Sequence, residues 1–203
     1  MRGIMIAGML AAGGALPLCA QAGTVGIVGG FVSSNISVST GSYSGQSARS
    51  GFAIGLSLRV PAGALQFAPE VMYVEKGATD TTDAGFGNLK LGYVEVPILV
   101  RYSFPTSSRI HPFLTVGPTV STRVSCTISV TVAGSGTSTT SDQCNDSDNL
   151  RSTDAGVMFG GGVSGRRLSL SVRYELGMVN LSKDDTSPDF KNRALFVLAG
   201  LSF

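Results

Sequence analysis

Apolar and polar residues alternate along most of this chain with a period of two. The clearest runs are FAIGLSLRV at 52–60 and LSLSVRYELG at 168–177, where every second side chain is apolar. Successive side chains of a β-strand point to opposite faces, so this period predicts strands with one apolar and one polar face. We therefore expect an all-β chain.

The alternating pattern divides the chain into eight segments joined by connections of two kinds. The predicted strands are 24–35, 50–60, 65–76, 89–104, 110–124, 153–163, 167–181 and 193–203. Three connections are tight (61–64, 105–109 and 164–166), and four are longer and polar (36–49, 77–88, 125–152 and 182–192). Short turns at one end and long loops at the other are typical of bacterial outer-membrane barrels. The sequence thus predicts an eight-stranded antiparallel up-and-down transmembrane β-barrel with periplasmic termini.

A soluble periplasmic β-sandwich would show the same alternation as a membrane barrel. The number and placement of charged residues distinguish the two. Charged residues make up only 14% of the chain, about half the share of a typical soluble domain. Six of them lie on the polar faces of predicted strands: Arg59, Glu70, Glu95, Arg101, Arg173 and Glu175. An Arg or Lys turned toward lipid costs about 2–4 kcal/mol at mid-membrane. We therefore expect these residues to form a lumen charge network, in which both signs neutralise one another and fill the barrel.

The first 22 residues have the three parts of a secretory signal peptide. Arg2 precedes an apolar stretch at 4–18, and the segment ends on Ala20-Gln21-Ala22. This pattern predicts a signal peptide at 1–22 and a barrel domain at 23–203. The alternative is an N-terminal core helix; a lipoprotein modified at Cys19 is rejected because Leu18, the residue before it, is not small. Beyond this segment no apolar run reaches the ~18–20 residues of a membrane helix.

Two cysteines remain after the signal peptide, and they flank a loop rich in Gly, Ser and Thr. In an exported chain, Cys126 and Cys144 predict a disulfide in preference to a metal site. The alternative is a pair of free thiols. A bridge over a loop of this size would stabilise the fold by roughly 3 kcal/mol in the chain-entropy model.

The last residue of the chain is relevant to the assembly of a barrel. The final strand ends on Phe203, and a terminal aromatic there resembles the assembly signal of outer-membrane barrels. Expected partners are therefore the barrel-assembly machinery, outer-membrane lipid and lipopolysaccharide.

Four prolines, Pro69, Pro97, Pro112 and Pro118, lie inside predicted strands. Proline in a strand implies bulges or broken backbone hydrogen bonds.

Several runs resemble motifs of the PorT-like outer-membrane β-barrel family. The similar segments are APEVMYVEKG at 68–77, LGYVEVPILVRY at 91–102, 111–118, 173–180 and KNR at 191–193. They occur in the same order as in that family and span residues 51–203, prolines included. Since the family is defined by its barrel, the resemblance implies the fold and leaves the function open.

The sequence offers little support for catalysis or for nucleic-acid binding. The formal net charge is +2 with no basic run, so we expect no nucleic-acid partner. His111 is the single histidine, and it is expected at the periplasmic rim; we expect no enzyme activity and no cofactor. The acidic run at 145–149 has oxygen ligands that calcium favours, but it lacks the glycine and distal glutamate of a known loop.

Two functional hypotheses follow from this sequence. The first is a monomeric barrel with a plugged lumen and a structural or surface-interaction role, in adhesion or envelope integrity, in which the long loops contact an extracellular protein or surface ligand. The alternative is a narrow outer-membrane channel or transporter for small solutes. We expect the protein in the outer membrane of a Gram-negative-type bacterium in either case.

Overall fold

The computed structural model describes residues 23–38, 46–82, 85–132, 138–143, 152–179 and 190–203. These residues form nine strands: β1 Thr24–Val38, β2 Gln46–Ala62, β3 Leu65–Thr82, β4 Gly85–Ser103, β5 His111–Val132, β6 Ser138–Gln143, β7 Thr153–Ser164, β8 Leu168–Gly177 and β9 Phe190–Ser202. Within the same ranges, no helix is long and apolar enough to span a membrane. The predicted signal peptide at 1–22 lies outside the described residues.

Every neighbouring pair of strands is antiparallel, and the sheet closes on itself. Strands β1 to β5 pair in chain order, after which β5 pairs with β7, β7 with β8, β8 with β9, and β9 with β1. In the described part of the chain, eight strands form the wall, and the short β6 pairs with the end of β5. Closure gives every strand of the wall two neighbours, so backbone N–H and C=O groups find partners within the sheet that lipid cannot supply. The predicted eight-stranded antiparallel up-and-down barrel is confirmed.

The barrel has a turn end, where 61–64, 105–109 and 164–166 connect strands, and an opposite loop end. At the turn end the strands begin and end within two residues of the predicted positions. At the loop end β3, β4 and β5 continue further than predicted and pair with β6 as a four-stranded extension. The segment Thr127–Val132 alternates polar residues with Ile128, Val130 and Val132, but the prediction places it in the long polar loop at 125–152. Its pairing with β4 and β6 shows that the strand continues past Val124.

A belt of large apolar side chains covers the outside of the wall. Phe31 is 77% exposed, Leu168 68% and Leu56 61%, whereas the inward residues Val28 and Val32 are buried. Soluble monomers rarely expose so continuous an apolar surface. The belt therefore matches the lipid-facing band of a transmembrane barrel.

The internal prolines interrupt hydrogen bonding without changing the register. The β3–β4 pairing stops after Pro69↔Ile98 and resumes in the same register at Met72↔Glu95. Pro97 lies in this gap and has no N–H to donate. The register shifts lie elsewhere, between Ala48 and Ala53 in the β2–β3 pairing and between Gly92 and Tyr93 in the β4–β5 pairing. The pairing is also interrupted beside Pro69 in β2–β3 and beside Pro118 in β4–β5, so the structure shows the expected gaps in the pairing at three of the four prolines.

Candidate functional site

Charged side chains from β2, β3, β4 and β8 point into the lumen. Of the six residues expected there, Glu70, Glu95, Arg101, Arg173 and Glu175 are at most 7% exposed, and Arg59 is half-buried. They belong to two groups along the barrel axis. Arg59, Glu70, Arg101 and Arg173 form the turn-end cluster; Glu95 and Glu175 join Lys76 in the loop-end cluster.

One ion pair of the turn-end cluster crosses the whole lumen. Arg173 on β8 donates two hydrogen bonds to the Glu70 carboxylate on β3, with Nη1···Oε2 at 2.6 Å and Nη2···Oε1 at 3.0 Å. These strands are four steps apart in the eight-stranded wall and thus face each other. A two-pronged guanidinium–carboxylate contact is among the stronger hydrogen-bond arrangements in proteins. This pair therefore ties opposite walls of the barrel together.

Lys76 is the centre of the loop-end cluster. Its ammonium lies 2.6 Å from Oε2 of Glu95 and also donates to Glu175 on the opposite wall. The Thr119 hydroxyl donates to the other oxygen of Glu175 at 3.2 Å. Lys76 is 1% exposed, so its charge is balanced almost entirely by these two carboxylates.

Lys76 and Asp154 are buried charges that the predicted lumen network omitted. Lys76 has the same parity on β3 as Glu70, and this signal alone would have placed it inside. Asp154 is 3% exposed on β7, but it lies near the predicted start of its strand, where parity is least certain. The pattern therefore located the inward face correctly but missed charges near the loop end.

Arg59 and Arg101 contact hydroxyl groups instead of carboxylates. Arg59 donates to the Ser202 hydroxyl, and Arg101 donates to Ser164 at 2.7 Å and to Ser103 at 3.4 Å. Within the described residues, no carboxylate lies within 4.0 Å of either guanidinium. The expected network therefore includes no direct carboxylate contact for these two arginines, although both lie within electrostatic reach of Glu70. The turn-end cluster has more arginines than carboxylates because Glu95 and Glu175 both pair with Lys76 in the loop-end cluster.

Buried apolar side chains separate the two clusters. On β3, Met72 and Val74 lie between Glu70 and Lys76 on the inward face, and both belong to one apolar core with Met158, Phe196 and Leu198. The lumen is thus filled by an apolar layer with charged groups on either side. An eight-stranded barrel is just wide enough for such filling by side chains.

A third ion-pair group lies near the loop end, away from the lumen clusters. Glu75 Oε1 is 3.0 Å from both Arg49 Nη2 and Lys90 Nζ. The Lys90 side chain is 46% exposed, whereas that of Glu75 is 8% exposed. This group pairs residues of β2, β3 and β4 where solvent has access.

The remaining predicted residues lie at the two ends of the barrel. Cys126 is on β5 opposite Leu91, whereas Cys144 and the acidic run at 145–149 lie outside the described residues. Phe203 is 71% exposed, and its backbone N–H donates to Val25 O at 2.9 Å. His111 begins β5 at the turn end, with Nδ1 3.3 Å from the Thr106 hydroxyl. The described residues contain no group of three or more His, Cys, Asp or Glu side chains that could hold a metal ion.

Solved structures of outer-membrane barrels are similar to this chain at low sequence identity. Neisserial surface protein A is 18% identical with a TM-score of 0.50, and the match covers 90% of this chain and 100% of that one. The outer membrane enzyme PagL is 16% identical with a TM-score of 0.49, over 89% and 99%. Ail, the attachment invasion locus protein of Yersinia pestis, is 14% identical with a TM-score of 0.44, over 89% and 99%. At these identities the likeness concerns the fold alone.

Sequence comparison places the chain in a family. No curated protein sequence matches it. The family described as outer membrane protein beta-barrel domain matches residues 20–183, most of the chain. The match agrees with the closed eight-stranded wall and its apolar outer belt. The chain therefore belongs to the outer membrane protein beta-barrel domain family, and its place is the outer membrane of a Gram-negative bacterium.

Proposed function

We propose that this protein is a non-conducting outer-membrane anchor whose loop end interacts with partners at the cell surface. Its role is structural or adhesive, in surface contact or envelope integrity. The observation that carries the proposal is the filled lumen, in which Arg173–Glu70 and Lys76–Glu175 both join β3 to β8 across the barrel. A barrel closed in this way leaves its ends as the surfaces available for function.

The size of the lumen cavity supports the absence of a permeation path. The cavity beside the turn-end cluster measures about 20 Å³ for the centre of a water-sized sphere, close to the minimum that holds one water molecule. Toward the loop end it meets the apolar core that contains Met72 and Leu198. A hydrated ion crossing this layer would lose its water without gaining polar partners.

The four-stranded extension at the loop end supports a surface role. The pairs Thr82↔Gly85, Gly85↔Val132 and Val132↔Ser138 join β3, β4, β5 and β6 beyond the last β5–β7 pair, Thr122↔Thr153. We propose that this end faces outward and the turn end faces the periplasm, as short turns do in such barrels. The expected surroundings are outer-membrane lipid and lipopolysaccharide, with the barrel-assembly machinery as folding partner and a monomer as the functional unit.

Deleting 127–143, which removes the β5–β6 extension, is expected to lower adhesion of cells several-fold while the barrel stays in the outer membrane. The measurement is attachment of expressing cells to fibronectin- and laminin-coated surfaces, together with vancomycin sensitivity as a readout of envelope integrity. The control is the shift between unboiled and boiled samples on a gel, which shows that the variant still forms a barrel. Unchanged attachment and unchanged sensitivity at equal surface levels would contradict the surface role.

The second candidate, a narrow channel, is favoured by the charged side chains that lie inside the barrel on both sides of the apolar layer. Planar-bilayer recordings separate the two candidates, and we expect no steady unit currents from the purified protein. A channel would instead show unit currents that change when Glu95→Gln or Arg101→Met removes a lumen charge. Such currents would overturn the proposal of a plugged lumen.

Three finer assignments are also proposals. The PorT-like subgroup is supported by the runs at 68–77 and 91–102, and a sequence profile specific to that subgroup tests it.

A Cys126–Cys144 disulfide is supported by the β5–β6 register, because continuing Thr127↔Gln143 by one position would pair the two cysteines. Cleavage after Ala22 is supported by the three-part pattern of 1–22. Non-reducing mass spectrometry of the purified protein is expected to show a chain that begins at Gly23 and contains two fewer hydrogens than the dithiol.

A further inference from the structure

We propose that the turn-end half of the lumen binds one compact inorganic anion, of the size of chloride, between Arg59 and Arg101. This goes beyond the proposed anchor, which requires no ligand in its lumen. The inference depends on the charge of the turn-end cluster, the space within it and the donors that line it.

The turn-end cluster has an excess of positive charge. Arg59, Arg101 and Arg173 contribute three guanidinium groups, and Glu70 is the only carboxylate among the described residues that line this cavity, so the local net charge is three minus one, or +2. Both carboxylate oxygens of Glu70 accept hydrogen bonds from Arg173. Arg101 lies within electrostatic reach of Arg59 and Arg173 as well as of Glu70, so two positive groups and one negative group act on it. Two cations held close together away from water repel each other strongly unless an anion lies near them.

The cavity lined by these arginines is small and partly open, so it has room for a single compact species. It measures about 20 Å³ for the centre of a water-sized sphere, and its polar lining residues are Ser57, Arg59, Glu70, Arg101, Thr115, Ser169 and Arg173. Its apolar lining residues include Val28, Ala68, Leu99 and Phe113. Hydroxyl and guanidinium groups both donate hydrogen bonds to anions. The small volume excludes an organic acid, and it excludes a carboxylate that is attached to a peptide.

The orientation of Arg101 leaves its N–H edge able to bind an anion. Its guanidinium carbon lies 3.5 Å from the centroid of the Phe113 ring, so one flat face is covered by the aromatic ring. Guanidinium donors point outward in the plane of the group. The contacts with Ser103 and Ser164 use two of its five N–H donors, and the guanidinium group lines the cavity.

The loop-end cluster provides no comparable site. Lys76 contacts both Glu95 and Glu175 there, and one ammonium against two carboxylates gives a negative local charge that repels anions. The apolar core separates this cluster from the arginines. An anion entering the lumen would therefore be held at the turn end.

Bromide replaces chloride chemically and scatters anomalously, which allows a direct test. Crystals of the purified barrel soaked in sodium bromide are expected to show an anomalous peak within hydrogen-bond distance of the Arg59 and Arg101 guanidinium groups. An empty cavity, or one that contains only water at saturating bromide, would overturn the proposal. This arm uses the unaltered protein, so it does not depend on whether variants fold.

Thermal unfolding provides a second test in solution. At constant ionic strength, replacing gluconate by chloride is expected to raise the Tm of the barrel in detergent micelles by about 2–4 °C, because the anion binds the folded state. Arg59→Met and Arg101→Met are expected to abolish this rise. Arg109→Met is the matched control, since it removes one arginine from an exposed turn at the same end. A rise that persists in the Arg59→Met, Arg101→Met double variant would show a nonspecific salt effect and contradict the site.

Discussion

Replacing Lys76 by methionine is expected to lower the free energy of unfolding by about 3–5 kcal/mol, because it leaves the buried carboxylates of Glu95 and Glu175 without a counter-charge. Glu95 is 0% and Glu175 3% exposed, so water cannot take over the role of the lysine. Methionine fills much of the same volume, which keeps the loss mainly electrostatic. Urea unfolding of the barrel in detergent micelles measures the change.

Lys90→Met is the matched control for this prediction. It makes the same substitution at a lysine that also lies close to a glutamate, with Lys90 Nζ 3.0 Å from Glu75, but the Lys90 side chain is 46% exposed. An exposed pair of this kind contributes about 0–1 kcal/mol. Adding Glu95→Gln and Glu175→Gln to Lys76→Met is expected to recover much of the lost stability. Equal effects of the two Lys→Met substitutions would show that burial of the lumen pair has no energetic consequence.

Gly160→Ala is expected to destabilise the barrel by about 1–3 kcal/mol, the range for overpacking a well-filled interior. A Cβ at this position would lie 2.3 Å from the carbonyl oxygen of Val172 and 2.7 Å from the Cα of Arg173. It would also meet the Arg173 side chain at 3.0 Å, and so displace the residue that reaches Glu70 across the lumen. The same urea unfolding experiment measures the loss.

Gly165→Ala is the matched control for the glycine substitution. Gly165 lies in the tight turn between β7 and β8, and the nearest atom to an added Cβ is 3.8 Å away, an ordinary contact distance. We expect its unfolding curve to stay close to that of the unaltered protein. If Gly160→Ala changed the unfolding free energy as little as Gly165→Ala, the backbone of β8 at Arg173 would move away from β7 more easily than these short distances indicate.

The strand pattern and the inward face were predictable because both depend on local geometry. A period of two assigns each side chain to one face, and this placed Glu70, Glu95 and Arg173 on the polar side of their strands. Tight turns at 61–64 and 164–166 likewise follow from local residue types. The extension of β3 at 77–82 was not predicted because its residues are mostly polar, whereas the extension of β5 at 125–132 alternates and was missed because it lies next to the Gly-, Ser- and Thr-rich loop.

The pairing of the charges could not be predicted from the same pattern. Lys76 and Glu175 are 99 residues apart in the chain, and they meet because β3 and β8 lie on opposite sides of a closed ring. The sequence shows equal numbers of positive and negative groups in the expected network, which suggested complete neutralisation. The structure instead gives Lys76 two carboxylates and gives Arg59 and Arg101 none within the described residues.

The sequence by itself determined that this chain is a membrane barrel, because alternation and the placement of charge are properties of each strand taken separately. Only the tertiary structure decided which charges meet, where the apolar layer closes the lumen and where a positive cavity remains. The physical reason is that contacts across a barrel depend on the number of strands and on their stagger around the ring. Those quantities belong to the closed sheet as a whole, and no single strand encodes them.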